Sequence, residues 1–222
     1  MDYVSRSELG WPPSAAPAQT VPVLGFKIHY EGTHVPVVDH SKCAGRWTAI
    51  RNSHLANTAE GYSDVAYNWA VCQHGTIYEG RGWGKQTGAN GNQALNRPHN
   101  AILWMGGDAG VTVPSPAAVD AIKELIRYLR SKGAGNEIKG HRDGYNTSCP
   151  GDPMYSLVKS GRLEPVTTTP KDDMEPIDVW KYKTEGETRD AYWFQRDTNA
   201  LVGKLRSEVA ELTKLVNQLL AK

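Results

Sequence analysis

One stretch of this chain, Pro116 to Lys132, admits little but a helix, and everything else must be arranged around it. Ser115 is an N-cap residue, Pro116 suits the first helical position and Gly133 supplies a stop. Val119, Ile122, Leu125, Ile126 and Leu129 share one stripe of that helix. The flanking segments are short and have strand character. Val21 to Tyr30 reads as a strand, with Phe26 and Ile28 alternating against Lys27 and His29. Tyr67 to Cys72 and Thr76 to Glu79 read as a hairpin across Gln73-His74-Gly75. Ala101 to Met105 reads as a buried strand ended by Gly106-Gly107. A second, shorter helix is expected over Arg46 to Ala56, with Trp47, Ile50 and Leu55 towards the core. Residues 1–20, rich in Pro, Ala and Ser, read as an extended lead-in, and Gly80 to Trp83 and Gly88 to Asn100 as loop. Short strands around one long helix predict an α/β domain with a mixed sheet.

The composition changes late in the chain. Residues 1–163 are expected to form the main domain, 164–176 a polar, proline-bearing linker, and 177–222 a small helical C-terminal segment. In that segment Val202, Val209 and Val216 repeat every seven residues, as do Leu205, Leu212 and Leu219. Val at one heptad seam and Leu at the other suits a parallel two-stranded coil. The pattern lasts under three heptads. A homodimer through Leu205, Val209, Leu212 and Val216 therefore stands beside a helix packed on its own domain, or on Trp180, Tyr182, Tyr192 and Trp193.

Charge excludes some partners. With 25 Lys+Arg against 24 Asp+Glu, the net charge of +1 provides no global field for nucleic acid or anionic membrane. No apolar run reaches transmembrane length, and Met1 to Arg6 carries no signal-peptide core. Three cysteines, Cys43, Cys72 and Cys149, argue against a full disulfide framework. Cys43 and Cys72 read as two small buried thiols, with a disulfide between them as the lesser alternative.

Three of these residues carry the chemistry. His29 closes the first alternating segment. His141 and Cys149 sit in one block, Gly140-His141-Arg142-Asp143 and Thr147-Ser148-Cys149-Pro150-Gly151. Two imidazoles and a thiolate suit zinc, and three protein ligands leave the fourth tetrahedral position to water. An open site of this kind points to hydrolysis.

With Ser5-Arg6-Ser7-Glu8, Gly61-Tyr62-Ser63-Asp64-Val65-Ala66-Tyr67-Asn68-Trp69 and Gly75-Thr76-Ile77-Tyr78-Glu79-Gly80-Arg81-Gly82-Trp83 in the same order, the chain from about Val4 to Gly161 resembles a known family. These are the peptidoglycan recognition proteins and type 2 zinc N-acetylmuramoyl-L-alanine amidases. The resemblance implies a central mixed β-sheet flanked by helices, with zinc at one end of a groove. It implies His29, His141 and Cys149 as zinc ligands and Tyr67 and Thr147 as catalytic residues. Threonine at position 147 is the option of animal amidases, where phage enzymes carry lysine. Arg81, Trp83 and Asn90 are implied substrate contacts, Asn90 standing where the family often has histidine. Glu79 and Asp64 are the carboxylates available for proton transfer. His54 is expected to pack beneath the site, and His34, His40, His74 and His99 to be surface, turn or packing residues. The implied activity is hydrolysis of the amide between N-acetylmuramic acid and L-alanine, with peptidoglycan as partner. The alternative is a recognition module that binds the wall without cutting it. A third reading gives the defining role to the C-terminal segment, as an oligomerising or wall-targeting module. The unsignalled start, the single catalytic domain and the C-terminal appendage resemble a bacteriophage endolysin, held in the host cytoplasm until a holin opens the membrane.

Overall fold

A computed structural model of the chain describes residues 1–165 and the four positions 208, 209, 212 and 213. The chain divides into two units, Met1–Val166 and Thr167–Lys222. The expected linker lies almost wholly outside the described residues, as do Leu205, Val216 and the aromatic residues of the C-terminal segment. Val209 and Leu212 are helical and exposed.

The first unit is built on a six-stranded sheet. Its strands are β1 (Tyr3–Val4), β2 (Gly25–His29), β4 (Trp69–Val71), β5 (Ile77–Glu79), β6 (His99–Trp104) and β8 (Glu137–Gly140), in the order β1-β5-β4-β6-β2-β8. A two-stranded ribbon pairs β3 (His34–Val35) with β7 (Ala109–Gly110). Within the main sheet only the β4–β5 pair is antiparallel, so it is mixed, as expected. The helices are α1 (Cys43–Ala56), α2 (Gln93–Asn96), α3 (Pro116–Ser131) and α4 (Asp152–Lys159).

The two faces of the sheet bury separate clusters. On one, Ile122, Leu125, Ile126 and Leu129 of α3 meet Phe26, Ile28, Ile102 and Trp104. On the other, Trp47 of α1 packs with Ala70, Cys72, Tyr78, Leu103 and Met105. The strongest helix reading holds to within a residue: the Ser115 side chain accepts from the Ala118 N–H, and Gly133 ends the helix with φ of 101°. The β4–β5 hairpin also stands where the sequence places it.

Several expectations need correction. The alternation of Phe26 and Ile28 with Lys27 and His29 does not divide β2 into a buried and an exposed face, since all five of its residues are buried. Being flanked by β6 and β8 and covered on both faces, β2 leaves Lys27 only 1% exposed, its ammonium donating to the Asp143 carbonyl. The strand begins at Gly25 rather than Val21. Residues 1–20 are tied down: β1 pairs with β5, and Trp11 is buried against Trp47. The segment read as loop over Gly88–Asn100 contains α2 and the first residues of β6. Leu55 is exposed, because at that turn of α1 it is His54 that faces inward, against Tyr67 and the Ala66 N–H. His99 is buried and bonds Glu137.

Gly25 explains that last contact. It pairs with His99 on one side and Glu137 on the other, and the missing side chain lets those two meet across it at 2.7 Å. A Cβ there would stand 2.0 Å from the Glu137 carbonyl oxygen. Glycine therefore sets how closely β2 and β8 approach.

Candidate metal centre

Parallel pairing of β2 with β8 puts Ile28 opposite Gly140, so His29 and His141 leave neighbouring strands at the same end of the sheet. The His141 N–H donates to the Ile28 carbonyl, and the two rings lie 4.4 Å apart. The chain then loops through Thr147 and returns Cys149 to the same place. Asp143 locks the loop by accepting from the Gly140 N–H at 2.8 Å and from the Tyr155 hydroxyl at 2.6 Å. Arg142 clamps it further, donating to the Ser148 carbonyl and to Asp152 while lying over the Tyr155 ring. The Thr147 hydroxyl accepts from the Cys149 N–H. The Gly-His-Arg-Asp block is thus one working unit: a ligand and the two residues that fix its loop.

The donor atoms of His29, His141 and Cys149 all lie within 4.8 Å of one another. Cys149 Sγ is 3.6 Å from His29 Nδ1. A tetrahedral ion with zinc's usual bond lengths to sulfur and nitrogen separates those atoms by about 3.5 Å. His141 Nε2 is buried without a protein partner. The residues present therefore fit a metal ion of the zinc type.

Asn90 selects the coordinating nitrogen. Its amide donates to the Leu95 and His99 carbonyls, which leaves Oδ1 to accept, and Oδ1 lies 2.9 Å from His29 Nε2. His29 must then carry its proton on Nε2 and present the lone pair of Nδ1 to the cluster. Burial, reinforced by His141, holds the His29 pKa well below its ordinary value. Burial and the nearby Lys27 charge lower His141 to about 4. Both imidazoles are neutral near pH 7, as ligands must be. Burial pushes the Cys149 thiol up to about 12, so a cation entering the site displaces its proton.

The other expected site residues fall in distinct places. Tyr67 stands edge-on to His29 at 5.3 Å, and burial raises its pKa far above the ordinary range, leaving a neutral phenol. His54 does pack beneath it: its ring lies 5.7 Å from Tyr67, and its Nδ1 accepts from the Ala66 N–H. A polar groove of about 500 Å³ runs beside His141, lined by Tyr62, Arg81, Thr87, Gln93 and Tyr145. Arg81 borders it but is buried, with Nε and Nη1 donating to the Val65 and Gln86 carbonyls. Trp83 is 39% exposed and outside that lining. Asn90 is fully buried, its side chain bonding only within the protein. Asp64 and Glu79 are both engaged elsewhere, Asp64 with Arg6 and Arg51 and Glu79 with the Arg6 N–H. Sequence reasoning missed Asn90 as the holder of His29. It also missed a second donor cluster of Cys43, Cys72 and His74.

Comparison with known proteins agrees with this architecture. The family model described as N-acetylmuramoyl-L-alanine amidase matches residues 20–152. Peptidoglycan recognition protein 1 of Mus musculus is 31% identical over 177 residues, covering 71% of this chain and 86% of the mouse protein. The Rattus norvegicus protein of the same name is 37% identical over 106 residues; the match spans 45% of this chain and only 55% of the rat protein. Among solved structures, Drosophila PGRP-LB superposes with a TM-score of 0.63 at 23% identity, covering 75% of this chain and 98% of that one. Human PGRP-IBETAC gives 0.63 at 26%, covering 72% and 95%. These relatives are animal recognition proteins, which overturns the bacteriophage endolysin expectation. That reading rested on the chain's start, its single catalytic domain and its C-terminal appendage rather than on the ordered family motifs. On the family match and the mouse relative together, this chain belongs to the N-acetylmuramoyl-L-alanine amidase family, on the peptidoglycan recognition protein fold.

Proposed function

We propose that the chain is a zinc-dependent amidase that hydrolyses the bond between N-acetylmuramic acid and L-alanine in peptidoglycan. The observation that carries this reading is Cys149, held within coordinating distance of His29 Nδ1 in a cluster completed by His141. Support for the ligand class comes from the human relative PGRP-IBETAC, solved in complex with glycosamyl muramyl pentapeptide.

Zinc, held by His29, His141 and Cys149, would supply a Lewis acid for the amide carbonyl and a water nucleophile active near neutral pH. The protein's own residues do the rest. Asn90 keeps His29 in the tautomer that binds. Tyr67, a neutral phenol in a desolvated position, donates a hydrogen bond to the carbonyl oxygen as negative charge develops there. Thr147 braces the backbone N–H of Cys149 and fixes the ligand loop. The groove beside His141 takes the sugar and stem peptide through polar contacts. Overall, hydroxyl adds to the lactyl carbonyl carbon, the C–N bond breaks, and a proton goes to the alanine nitrogen.

The test is mass spectrometry of peptidoglycan fragments after incubation with the zinc-loaded protein. New free L-alanine N-termini on intact glycan strands are expected, and Cys149→Ala should abolish them. Tyr67→Phe should bind the same metal but lose about 10²- to 10³-fold in kcat, the usual loss for one oxyanion donor. Wall binding without any released peptide would refute the amidase reading and leave a recognition module.

A further inference from the structure

The second donor cluster lies apart from the first and has no role in the chemistry above. Cys43 opens α1, Cys72 follows the last residue of β4, and His74 sits in the turn to β5. His74 Nδ1 is 3.4 Å from Cys43 Sγ and 3.9 Å from Cys72 Sγ. These bracket the edge of about 3.5 Å that a tetrahedral zinc-type ion imposes between sulfur and nitrogen ligands. All three donor atoms lie within 4.8 Å of one another. Both thiols are buried and neither forms a disulfide, while the imidazole is at the surface.

We infer that Cys43, Cys72 and His74 form a second metal site, selective for a thiophilic d10 cation such as Zn(II). The surroundings suit one. Two thiolates against a divalent charge leave the buried site neutral, which a low-dielectric pocket tolerates far better than a net charge. The neighbouring cation, Arg46, is already neutralised by Glu31, bonding it at 2.8 and 2.6 Å. The turn carrying two of the ligands is rigid: the Cys72 N–H donates to the Thr76 carbonyl, and the Gly75 N–H to that of Cys72. His40 stacks on His74 at 5.0 Å and is itself anchored on the Thr76 hydroxyl. An adjoining cavity of about 220 Å³, also lined by Val38 and Met105, gives an ion a path in and leaves room for a fourth ligand. Burial, followed by Cys72, pushes the Cys43 thiol up to about 12, so loading the site releases protons.

The placement relative to the first centre is defined by the sheet. Ala70 pairs with Leu103, and Leu103 with His29, so the three share one level. Cys72 lies two residues farther along the chain, just past the end of β4, and packs in the same cluster as Ala70 and Leu103. The centres therefore stand two strands and two residues apart, on the order of 12 Å between backbones. An ion here ties the start of α1 to the β4–β5 turn, while the other end of α1 carries His54 beneath Tyr67. Its role is that of a structural staple.

The experiment uses the full chain, purified under reducing conditions, stripped of metal and titrated with Zn(II) or Co(II). Bound metal is counted by elemental mass spectrometry, and the thiolate-to-cobalt charge-transfer absorption is followed. Two equivalents are expected. Cys149→Ala should lose one; Cys43→Ala and His74→Ala should each lose or weaken the other. His74 is exposed, so its replacement leaves the core intact and keeps the test readable even if Cys43→Ala fails to fold. Outer-shell changes alone cost 10- to 100-fold in metal affinity, so losing this ligand should weaken the second ion by at least about 100-fold. The proposal is overturned by a single bound equivalent, by a second ion indifferent to His74→Ala, or by a Cys43–Cys72 disulfide in protein never exposed to oxidant.

Discussion

Asn90 shows how much a site can depend on a fully buried residue that stands behind a candidate ligand. Its amide is satisfied by two backbone carbonyls, so its oxygen has one orientation and His29 one tautomer. Asn90→Ala should fold normally yet bind metal 10- to 100-fold more weakly, as competition with a chromophoric chelator would measure. Unchanged affinity would mean that packing alone orients His29. At this scale the sequence is legible where chemistry is local. Gly-His-Arg-Asp and Cys-Pro-Gly lie within a dozen positions and declare a ligand loop. The role of Asn90 is hidden because its partner is 61 positions away. Cys43, Cys72 and His74 likewise read as two buried thiols and a surface imidazole until the fold joins them.

Secondary elements are held in register by buried charge as well as by apolar packing. Asp64, 1% exposed, accepts from Arg51 of α1 at 2.8 Å and sits 2.9 Å from Arg6 of the N-terminal segment. Burial alone would raise its pKa, but Arg51, the Val65 N–H and Arg6 outweigh that and leave it below the ordinary carboxylate value. A depressed folded-state pKa means that the stabilisation is complete above the unfolded value of about 3.9. It is lost as pH falls through the lower, folded one. Asp64→Asn should cost about 3–5 kcal/mol at neutral pH by leaving the buried Arg6 and the half-buried Arg51 without their carboxylate. Loss of the carboxylate should also flatten the acid limb of the stability curve measured by urea denaturation between about pH 5 and 2. An acid limb identical to the parent's would remove Asp64 from that role. Elements with a strong local period, α3 above all, were readable. β8 was not, since Glu137-Ile138-Lys139-Gly140 offers a single apolar residue, and α4 is only eight residues long. Their identity comes from β2, α3 and the ligand loop, which no window of sequence contains.

For the molecule as a whole, the strand order β1-β5-β4-β6-β2-β8 was beyond sequence reading, because it is fixed by pairings between distant segments. The fold class was legible all the same, from short strands around one long helix, and the ordered family motifs agreed with it. A centre built on such pairings exists only in the folded state, so an ion held there as proposed would bind that state alone and stabilise all of it. With free zinc at about 1,000 times its dissociation constant, the gain is roughly 4 kcal/mol. For a domain of this size that corresponds to about 8–16 °C in Tm. A chelator should lower the Tm of the parent by this order in differential scanning calorimetry and that of Cys149→Ala by clearly less. Equal shifts in the two proteins would mean that the ion sits elsewhere.

The separation of the ligands along the chain has a bearing on biosynthesis. His29 and Cys149 are 120 positions apart. At about 5–20 residues per second, roughly 6–24 s pass between the synthesis of the first ligand and the last. Throughout that interval β2 has no β8 beside it, and the imidazole at its tip is one ligand of an incomplete set. Every prematurely ended product therefore emerges without the centre. Zinc held as proposed would certify that translation had passed the last ligand and that the sheet had closed behind it.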